Sequence, residues 1–543
     1  MGTLILSLAI TLCCLVFSRR RTIRYLSALQ QDEYSPERFL IWYRKRLAFD
    51  RKGSFLCLMV GLSSISLISN ASLVFLLSIL GSITLLILAA IEFDPRKSGK
   101  VKLAMTERAK RIQLLHDCML VVLLLIVDLL VFQLPEHKIL PALWISQIAV
   151  FQSLPFLLII AVILLRPSEK ILQDKFLADA KRIVEESNSY IVGITGSYGK
   201  TSIKNALGEV LQVSLGSTFW PKKGINTLMG NTREIRNHLS RAYKYAVVEM
   251  AAYRKGSIEK LCKLTPPRAG IISAIGIMHL DRFGSEDTVY KAKTELARAI
   301  PEDGILVCNG DNPGARRAAT EFKKKTTILY GFKKEVGQLD CSMQEIVTSD
   351  AGSSFVIEWK GKKYSGKTLL LGKPALSNLL AVFSMACALG ATPEYVLAAI
   401  SNLKPVDNRL SLDKHGKVVY LRDAYNSNPV GFSAALDVLK DFKAQRKILM
   451  TPGMVELGDR QYEENKIIAE KAGSICDLVI LVSTTNRQAY VDGLKAAGLD
   501  DSKIIIFDHR DQALAELTKI QQDGDVILIE NDLTDWYEDK SWF

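Results

Sequence analysis

The pattern of apolar positions divides the chain at about residue 166. Before this point, five long apolar segments lie at 3–17, 54–69, 71–91, 118–134 and 142–165. A helix needs about 20 apolar residues to cross the hydrocarbon core of a bilayer. The pattern therefore predicts a transmembrane region of about five helices in residues 1–166, with a hairpin turn near Ser69-Asn70-Ala71. Four spans, with one weak segment lying in the interface, are the alternative.

Basic residues predict the orientation of these helices. Ten Lys and Arg lie in 18–53 and seven in 92–117, whereas the two intervening loops hold only Lys138. Because short basic loops stay on the cytoplasmic side, five spans place everything after Arg166 in the cytoplasm. No basic stretch precedes the first apolar segment, which favours a membrane anchor over a cleaved signal peptide. We expect a multi-pass protein of the cell membrane, in contact with the lipid bilayer.

Asp128 lies inside the fourth apolar segment. An ionisable residue at such a position can mark a functional site. It can also be neutral, or paired with a neighbouring helix. The sequence leaves both interpretations open.

Beyond residue 166 the pattern changes. Residues 166–189 form a charged amphipathic connector, after which short apolar runs alternate with helical stretches. Strands that alternate with helices indicate an α/β fold with a mostly parallel sheet. Buried-strand patterns lie at 190–192, 245–248, 269–277, 418–421, 447–450, 478–482, 503–507 and 526–530.

Charge and cysteine content exclude some classes of protein. The net charge is +13, but residues 1–166 account for +9 of it. Because the basic excess belongs mainly to the membrane loops, we expect no nucleic-acid partner. The nine cysteines include no C-x-x-C pair, so neither a disulfide framework nor a cysteine metal site is predicted.

The sequence Y-I-V-G-I-T-G-S-Y-G-K-T-S at 190–202 predicts a phosphate-binding loop between a strand and a helix. Backbone N–H groups in a glycine turn and the N-terminus of the following helix bind anions. The spacing departs by one residue from the strict P-loop motif, since position 194 is Ile194. The candidate nucleotide ligands are Gly196, Ser197, Gly199, Lys200, Thr201 and Ser202.

Two further residues follow predicted strands. Glu249 ends the run 245–248, where a carboxylate can hold Mg²⁺; a capping or surface role is the alternative. His279 follows the run 269–277, at the strand end where α/β sheets place their chemistry. A lone histidine is nevertheless more often a satisfied polar residue than a ligand.

Several motifs occur together in a characteristic order. They are G-I-T-G-S-Y-G-K-T-S, the strand that ends in Glu249, I-G-I-M-H-L-D-R-F-G-S, A-K-T-E and N-G-D-N-P. Over about 190–543 the chain resembles the Mur ligase family, and most closely its members that add D-alanyl-D-alanine to a muramoyl tripeptide. The resemblance implies a central P-loop ATPase domain at 167–404 and a Rossmann-like C-terminal domain at 405–543, which follow the α-helical membrane region.

The resemblance also implies roles for single residues. Lys200 and Thr201 would bind the phosphates of ATP and Mg²⁺, and Glu249 and His279 would complete the magnesium coordination. Lys293 matches a family lysine that is carbamoylated and helps to hold a second magnesium. The remaining implied residues are Asn309 and Asn378 near the nucleotide, Arg409 at the interdomain hinge, Asp423 at the ribose, and Asn426 and Asn428 near the incoming amine.

The chain departs from the family pattern at two motifs. In G-K-P-A-L-S-N, Pro374 and Ala375 replace a histidine and an asparagine, which puts the adenine contacts in doubt. In T-P-G-M-V-E-L-G, Pro452-Gly453 replaces Gly-Asp. Asn426 and Asn428 also have a simpler interpretation, because asparagine is common in turns.

By this resemblance the protein is an ATP- and Mg²⁺-dependent ligase of cell-wall precursor synthesis. A carboxylate would be activated as an acyl phosphate and attacked by the amine of an amino acid or dipeptide. The family's UDP-binding N-terminal domain has no room here, since about 24 residues separate the last apolar segment from the phosphate loop. We therefore expect a membrane-anchored ligase whose precursor substrate is presented at the bilayer, in a lipid-linked form such as a polyprenyl carrier. The alternatives are an ATP-binding scaffold or regulator of envelope assembly that has lost ligation, and, less favoured, an ATP-driven transporter.

Overall fold

The structure is a computed structural model. It describes residues 2–32, 34–97, 102–222, 224–276, 283, 285–332, 338–349, 351–405, 410–424, 427–455, 457–482 and 484–531. The chain forms two compact units, one that runs to Leu172 and one that begins at Gln173. Each unit is described separately below.

Six helices account for the first unit. They are α1 (Gly2–Gln31), α2 (Pro36–Lys45), α3 (Lys52–Ser66), α4 (Ala71–Ile91), α5 (Glu107–Val131) and α6 (Glu136–Ser187), the last of which continues beyond Leu172. Among the described residues, α1, α4, α5 and α6 are long and apolar enough to cross a membrane. Helix α3 has 15 residues. At 1.5 Å per residue it covers about 22 Å, less than a hydrocarbon core of about 30 Å.

Polar contacts between helices fix their directions in the first unit. Near the start of α1, Thr3 Oγ1 donates to Glu136 Oε1 at 2.9 Å. Farther along α1, Arg19 Nε lies 3.2 Å from Asp117 Oδ2 of α5, in the first half of that helix. Helices α1 and α5 are therefore antiparallel, and α6 begins beside the start of α1.

Arg21 connects both ends of the α3–α4 hairpin to α1. Its side chain is buried, with Nε 3.4 Å from Asp50 Oδ1 and an Nη 2.8 Å from Glu92 Oε1. Asp50 lies just before α3 and Glu92 caps the C-terminus of α4, so the hairpin leaves and returns at the same end of the bundle. We call this the basic end, because the basic segments 18–53 and 92–117 meet there.

Asp128 lies in α5 and has a partner on a neighbouring helix. Both of its carboxylate oxygens lie 3.0 Å from Thr11 Oγ1 of α1. This contact agrees with the interpretation in which Asp128 is paired with a neighbouring helix.

The second unit contains a nine-stranded sheet of order β2-β3-β1-β4-β5-β6-β7-β8-β9. Strands β1 to β7 pair in parallel, and β7, β8 and β9 form an antiparallel meander. The strands are β1 (Tyr190–Thr195), β2 (Thr218–Phe219), β3 (Tyr245–Glu249), β4 (Ala269–Ile272), β5 (Ile305–Asn309), β6 (Thr326–Gly331), β7 (Cys341–Ser349), β8 (Gly352–Trp359) and β9 (Lys362–Thr368).

Helices cover both faces of this sheet. They are α7 (Lys200–Ser214), α8 (Leu228–His238), α9 (Ser257–Leu264), α10 (Glu286–Lys293), α11 (Glu295–Ala299), α12 (Pro313–Glu321), α13 (Lys373–Ala388) and α14 (Pro393–Ser401). The central strand β1 is buried on both faces: Val192 and Ile194 pack with α7 and α13, and Ile191 packs in the opposite core. A continuous apolar run is typical of such a strand.

A second sheet of order β10-β11-β15-β12-β13-β14 follows. Its strands are β10 (Ser411–His415), β11 (Val418–Asp423), β12 (Arg446–Thr451), β13 (Leu478–Val482), β14 (Ile504–Phe507) and β15 (Asp525–Glu530). Its helices are α15 (Pro429–Asp441), α16 (Gln461–Gly473), α17 (Arg487–Ala496) and α18 (Arg510–Ile520), with 3₁₀ turns at Gly458–Arg460 and Asp501–Lys503. All pairings are parallel except that of β10 with β11, as expected for a Rossmann-like domain.

Two features of the fold differ from the sequence pattern. The last apolar segment and the amphipathic connector form one helix of 52 residues that contains Pro141, Pro155 and Pro167. Strand β4 ends at Ile272, whereas an apolar run to 277 was expected; residues 277–282 lie outside the described part of the chain. The segment after β4 is hydrogen-bonded to the phosphate loop instead of continuing the strand, since Ser197 N donates to Ala274 O at 2.7 Å.

Candidate nucleotide and ligase site

The loop between β1 and α7 has the geometry of an anion cradle. Gly196 has φ +157° and Gly199 has φ +78°, and Gly199 is the N-cap of α7. A Cβ at Gly196 would lie 1.9 Å from Ser273 Oγ, and one at Gly199 would lie 2.2 Å from Asn378 Oδ1. Both positions therefore require glycine, which leaves the backbone accessible to a phosphate at the N-terminus of α7.

Two lysines point at the same carbonyl of this loop. Lys200 Nζ donates to Gly196 O at 2.7 Å, and Lys293 Nζ donates to Gly196 O at 3.0 Å. Lys200 is the first residue of α7 and Lys293 the last of α10, so two helices bring the ammonium groups together. The sequence motifs K-T-S and A-K-T-E, about 90 residues apart, thus meet at one point.

Lys293 is a chemically distinct lysine. Burial lowers the pKa of Lys293 well below its ordinary value, and the neighbouring charge of Lys200 lowers it further. Desolvation and a neighbouring cation both favour the neutral amine of a lysine, which is the nucleophilic form. The site therefore contains a buried primary amine that can react with an electrophile.

Glu249 lies beside the phosphate loop at the end of β3. Its backbone pairs with Ile194 of β1, one residue before Thr195 ends that strand. Its side chain is fully buried; Oε1 accepts from Asn226 Nδ2 at 2.9 Å, and Oε2 lies 3.7 Å from Lys204 Nζ. Among the described residues, Oε2 accepts no hydrogen bond. A carboxylate oxygen is thus available at the position predicted for a magnesium ligand.

The other predicted residues of the loop lie as follows. Ser197 is buried and its hydroxyl donates to Gly276 O at 3.0 Å, which ties the loop to the segment after β4. Thr201 and Ser202 are half-buried in the first turn of α7. Burial, and then the charge of the Glu464 carboxylate, raise the pKa of Tyr198 to about 12.

Asn309 and Asn378 connect the loop to α13. Asn309 ends β5, where its Oδ1 accepts from Asp311 N at 2.9 Å and its Nδ2 lies 3.5 Å from Ser377 Oγ. Asn378 follows Ser377 on α13 and packs against Gly199. The two asparagines therefore lie near the phosphate loop, and Pro374, at the start of α13, is compatible with the first turn of a helix.

Asp423 and Asn428 lie at the carboxyl edge of the second sheet. Asp423 ends β11, and its Oδ1 accepts from Leu410 N at 3.2 Å. Asn428 is the N-cap of α15, with Oδ1 accepting from Gly431 N at 2.9 Å. This hydrogen bond agrees with the simpler interpretation of Asn428, in which the asparagine stabilises a turn. Its role near an incoming amine stays a prediction.

A buried acid lies beside these residues. Glu530 ends β15 as the register partner of Asp423, and Ser427 Oγ donates to its Oε1 at 2.7 Å. Burial, and then the charge of Asp423, raise the pKa of Glu530 well above its ordinary value, although the Ser427 hydrogen bond opposes this. Both effects favour the protonated form of Glu530 in the folded protein.

Three predicted site residues, His279, Arg409 and Asn426, lie outside the described residues. Three residues of the site were not predicted: Lys204, Asn226 and Glu530. Only Lys204 carried a signal, since it follows Lys200 by four positions and must lie one helical turn further along α7.

The Mur ligase middle domain matches residues 194–386, and the glutamate ligase domain found at the C-terminus of Mur ligases matches residues 408–530. The two matches cover both α/β domains. The chain belongs to the Mur ligase family. The prediction of a Mur-type, ATP-dependent ligase that forms C–N bonds is confirmed at the level of this family.

Curated relatives are similar to the chain over the same region. The UDP-N-acetylmuramoyl-tripeptide–D-alanyl-D-alanine ligase of Mycobacterium tuberculosis strain H37Rv is 28% identical over 361 residues, which are 62% of this chain and 69% of that protein. The ligase of the same name from Bacillus subtilis is 30% identical over 291 residues, 52% of this chain and 59% of that protein.

Solved structures share the fold. MurF ligase of Thermotoga maritima in complex with ADP has a TM-score of 0.58 at 25% identity, and covers 66% of this chain and 80% of that one. MurF of Acinetobacter baumannii has a TM-score of 0.59 at 22% identity, over 66% and 77% of the two chains. The predicted α/β fold class of this Mur ligase is thereby confirmed, and the N-terminal region of the structure forms the expected apolar helices.

Proposed function

We propose that this Mur ligase is a membrane-anchored amide ligase that activates a carboxylate of a cell-wall precursor with ATP. The observation that carries the proposal is the convergence of Lys200, Lys293 and Glu249 around the glycine loop. Relatives of similar sequence are named for joining D-alanyl-D-alanine to UDP-N-acetylmuramoyl tripeptide. A muramoyl peptide and an amino acid or dipeptide are accordingly the substrate classes that we propose.

The residues of the loop fit a bound Mg·ATP. Gly196 and Gly199 leave room for phosphate, Lys200 supplies positive charge, and Thr201 and Glu249 offer oxygen ligands to Mg²⁺. Magnesium is commonly held by one or two carboxylates together with substrate phosphates. The bound magnesium would neutralise charge on the phosphoryl group that is transferred.

The proposed reaction has two steps. An oxygen of the substrate carboxylate attacks the γ-phosphorus of ATP, and ADP leaves with the electron pair of the broken P–O bond. The amine nitrogen then attacks the acyl carbon, phosphate leaves, and the nitrogen loses a proton to give the amide. Lys200 stabilises the negative charge of the first step, and Asn428 is one of the residues that the family resemblance places near the incoming amine of the second.

Lys293 has the properties required of the carbamoylated lysine that the family resemblance implies. Carbamoylation needs a neutral amine as the nucleophile, and the lowered pKa of Lys293 favours that form. The product would carry a negative charge that can help to hold a second Mg²⁺. This modification is part of the proposal.

The membrane placement is supported by the first unit. Four helices there have spanning length, and large apolar side chains such as Phe55, Leu125 and Leu129 are exposed on α3 and α5. The α3–α4 hairpin and the start of α5 bring both basic segments to one end, as the five-segment topology requires. In this topology the ligase domains are cytoplasmic.

A comparison of UDP-linked and lipid-linked substrates tests this proposal. Full-length protein in lipid nanodiscs is supplied with Mg·ATP, D-alanyl-D-alanine, and muramoyl tripeptide attached either to UDP or to a polyprenyl diphosphate. We expect amide formation and ADP release with the lipid-linked form. Efficient use of the UDP-linked form alone would contradict presentation of the substrate at the bilayer. Protein that binds ATP but releases no ADP with either muramoyl tripeptide would favour the alternative function, an ATP-binding scaffold that has lost ligation.

A further inference from the structure

Helix α2 and the residues after it form a surface that is both apolar and basic. Leu40, Ile41, Leu47 and Phe49 are exposed large apolar residues. The exposed basic residues of the same segment are Arg44, Lys45, Arg46, Arg51 and Lys52. We call these nine residues the α2 surface.

The other face of α2 is packed against the helix bundle. Phe39 is fully buried, and its ring centroid lies 6.4 Å from that of Tyr25 on α1. Tyr43 contacts Phe156 of α6 with a centroid distance of 5.9 Å. Ser35 and Pro36 begin the helix as its N-cap and first residue. Helix α2 is therefore held in a fixed orientation on the first unit, with the α2 surface directed outward.

The charges of the α2 surface differ from the other arginines of the basic end. Arg19, Arg20, Arg21 and Arg24 each lie within ion-pair distance of Asp50, Glu92, Asp94 or Asp117. Among the described residues, Arg44, Lys45, Arg46 and Lys52 have no ion-pair partner. The bundle thus balances its internal charges and leaves a cationic excess on the α2 surface.

The position of the α2 surface identifies what covers it. Helix α3 begins directly after it and exposes Phe55, Leu58, Met59 and Leu62 along its length. In the proposed membrane placement, this exposed apolar side of α3 faces the acyl chains of the lipids. The α2 surface therefore lies at the level where the acyl chains give way to the headgroups of the basic end. Exposed Leu, Ile and Phe beside Lys and Arg are the composition of a helix that lies in the membrane interface.

We propose that the α2 surface binds the anionic phospholipid headgroups of the cytoplasmic leaflet, with Leu40, Ile41, Leu47 and Phe49 inserted among the upper acyl chains. This inference rests on the proposed membrane placement. Each Lys or Arg near an anionic leaflet contributes about 1 kcal/mol of attraction. Five such residues on one surface select anionic lipids over neutral ones, and they hold the cytoplasmic end of the bundle at a defined depth.

Photocrosslinking tests the inference. Full-length protein that carries p-benzoyl-phenylalanine at Ile41 is placed in nanodiscs of equal phosphatidylcholine and phosphatidylglycerol, and lipid adducts are identified by mass. We expect phosphatidylglycerol adducts to exceed phosphatidylcholine adducts by about threefold or more. The combined R44Q/K45Q/R46Q variant should reduce this ratio to that of the bulk lipid. The matched K360Q/K362Q/K363Q variant, which removes three exposed lysines of the β8–β9 hairpin, should leave it unchanged.

The same label at Leu129, which is 67% exposed on α5, separates the possible failures. Adducts at Leu129 but none at Ile41, or protein adducts at Ile41, would overturn the α2 surface as a lipid site. Equal amounts of both lipids at Ile41 would overturn its selectivity for anionic headgroups. Adducts at neither position would contradict the membrane placement itself.

Discussion

Lys204 Nζ lies 3.7 Å from Glu249 Oε2, and both side chains are fully buried beneath the phosphate loop. A buried charge is stable only with a compensating partner, so each residue requires the other in the absence of Mg²⁺. The ammonium group therefore lies beside the carboxylate that is predicted to bind Mg²⁺.

Lys204→Met should therefore destabilise the protein more than the loss of its apolar contacts explains. We expect the variant to lose about 3 kcal/mol of stability, and Lys204→Met combined with Glu249→Gln to recover part of it. Thermal melts of the four proteins of this double-mutant cycle, in detergent and without Mg²⁺, measure the coupling. Additive effects of the two substitutions would show that the pair is not coupled.

Gly199 tests the cradle without removing a charge. In Gly199→Ala the new Cβ would lie 2.2 Å from Asn378 Oδ1, at a φ of +78°. We expect the affinity for Mg·ATP to fall at least about tenfold, because the loop must shift away from the N-terminus of α7. The control is Gly361→Ala, since Gly361 has a φ of +75° and nothing within 4 Å of its Cβ position. Equal ATP affinity of both variants would contradict the cradle.

Glu530 predicts a pH dependence of stability. Its pKa is raised by burial and then by Asp423, so above the ordinary value of 4.5 the folded state keeps a proton that the unfolded state has released. The stability contributed by this group is lost as the pH rises towards the folded pKa. Glu530→Gln should therefore lose less stability than the wild type as the pH rises above 4.5.

Melting temperatures of full-length protein across this pH range measure the effect. The control is Glu463→Gln, which changes an exposed carboxylate at the start of α16. Parallel curves for wild type and Glu530→Gln would mean that Glu530 is ionised in the folded protein.

The orientation of the bundle can be tested by cysteine labelling. In a Cys118→Ser background, which removes the exposed native thiol, single cysteines are placed at the exposed positions Ser69, Lys138 and Lys97. An impermeant maleimide added outside intact cells should label positions 69 and 138, and position 97 only after permeabilisation. Protection of position 69 would mean that the α3–α4 hairpin does not reach the outer surface.

The sequence predicted the parts of the fold whose patterns are local. The run 478–482 coincides with β13, and Glu249 ends β3 as expected, because an uninterrupted apolar run is typical of a strand buried on both faces. The glycines of the phosphate loop and Lys200 could also be predicted, because the residues that form such a loop are consecutive in the sequence. His279, Arg409 and Asn426 stay predictions.

Features that depend on distant contacts could not be predicted. The spacing from Lys200 places Lys204 on α7, but nothing in the sequence predicts that Lys204 is fully buried whereas Lys260 is exposed. Glu530 ends a strand like many other polar residues, and only the pairing of β15 with β11 brings it to Asp423. Helix α6 continues through Pro155 and Pro167, although a proline inside a helix removes a backbone hydrogen bond.

The transfer of oxygen from the acid to phosphate tests the central claim most directly. Full-length protein in nanodiscs is given Mg·ATP, D-alanyl-D-alanine and lipid-linked muramoyl tripeptide with ¹⁸O in its terminal carboxylate. If ATP activates the carboxylate, one labelled oxygen should appear in phosphate for each amide formed. Lys200→Ala should abolish both the amide and the labelled phosphate. The control Lys367→Ala, which changes an exposed lysine of β9, should abolish neither product. Amide formed with only unlabelled phosphate, or full labelling in Lys200→Ala, would contradict the account.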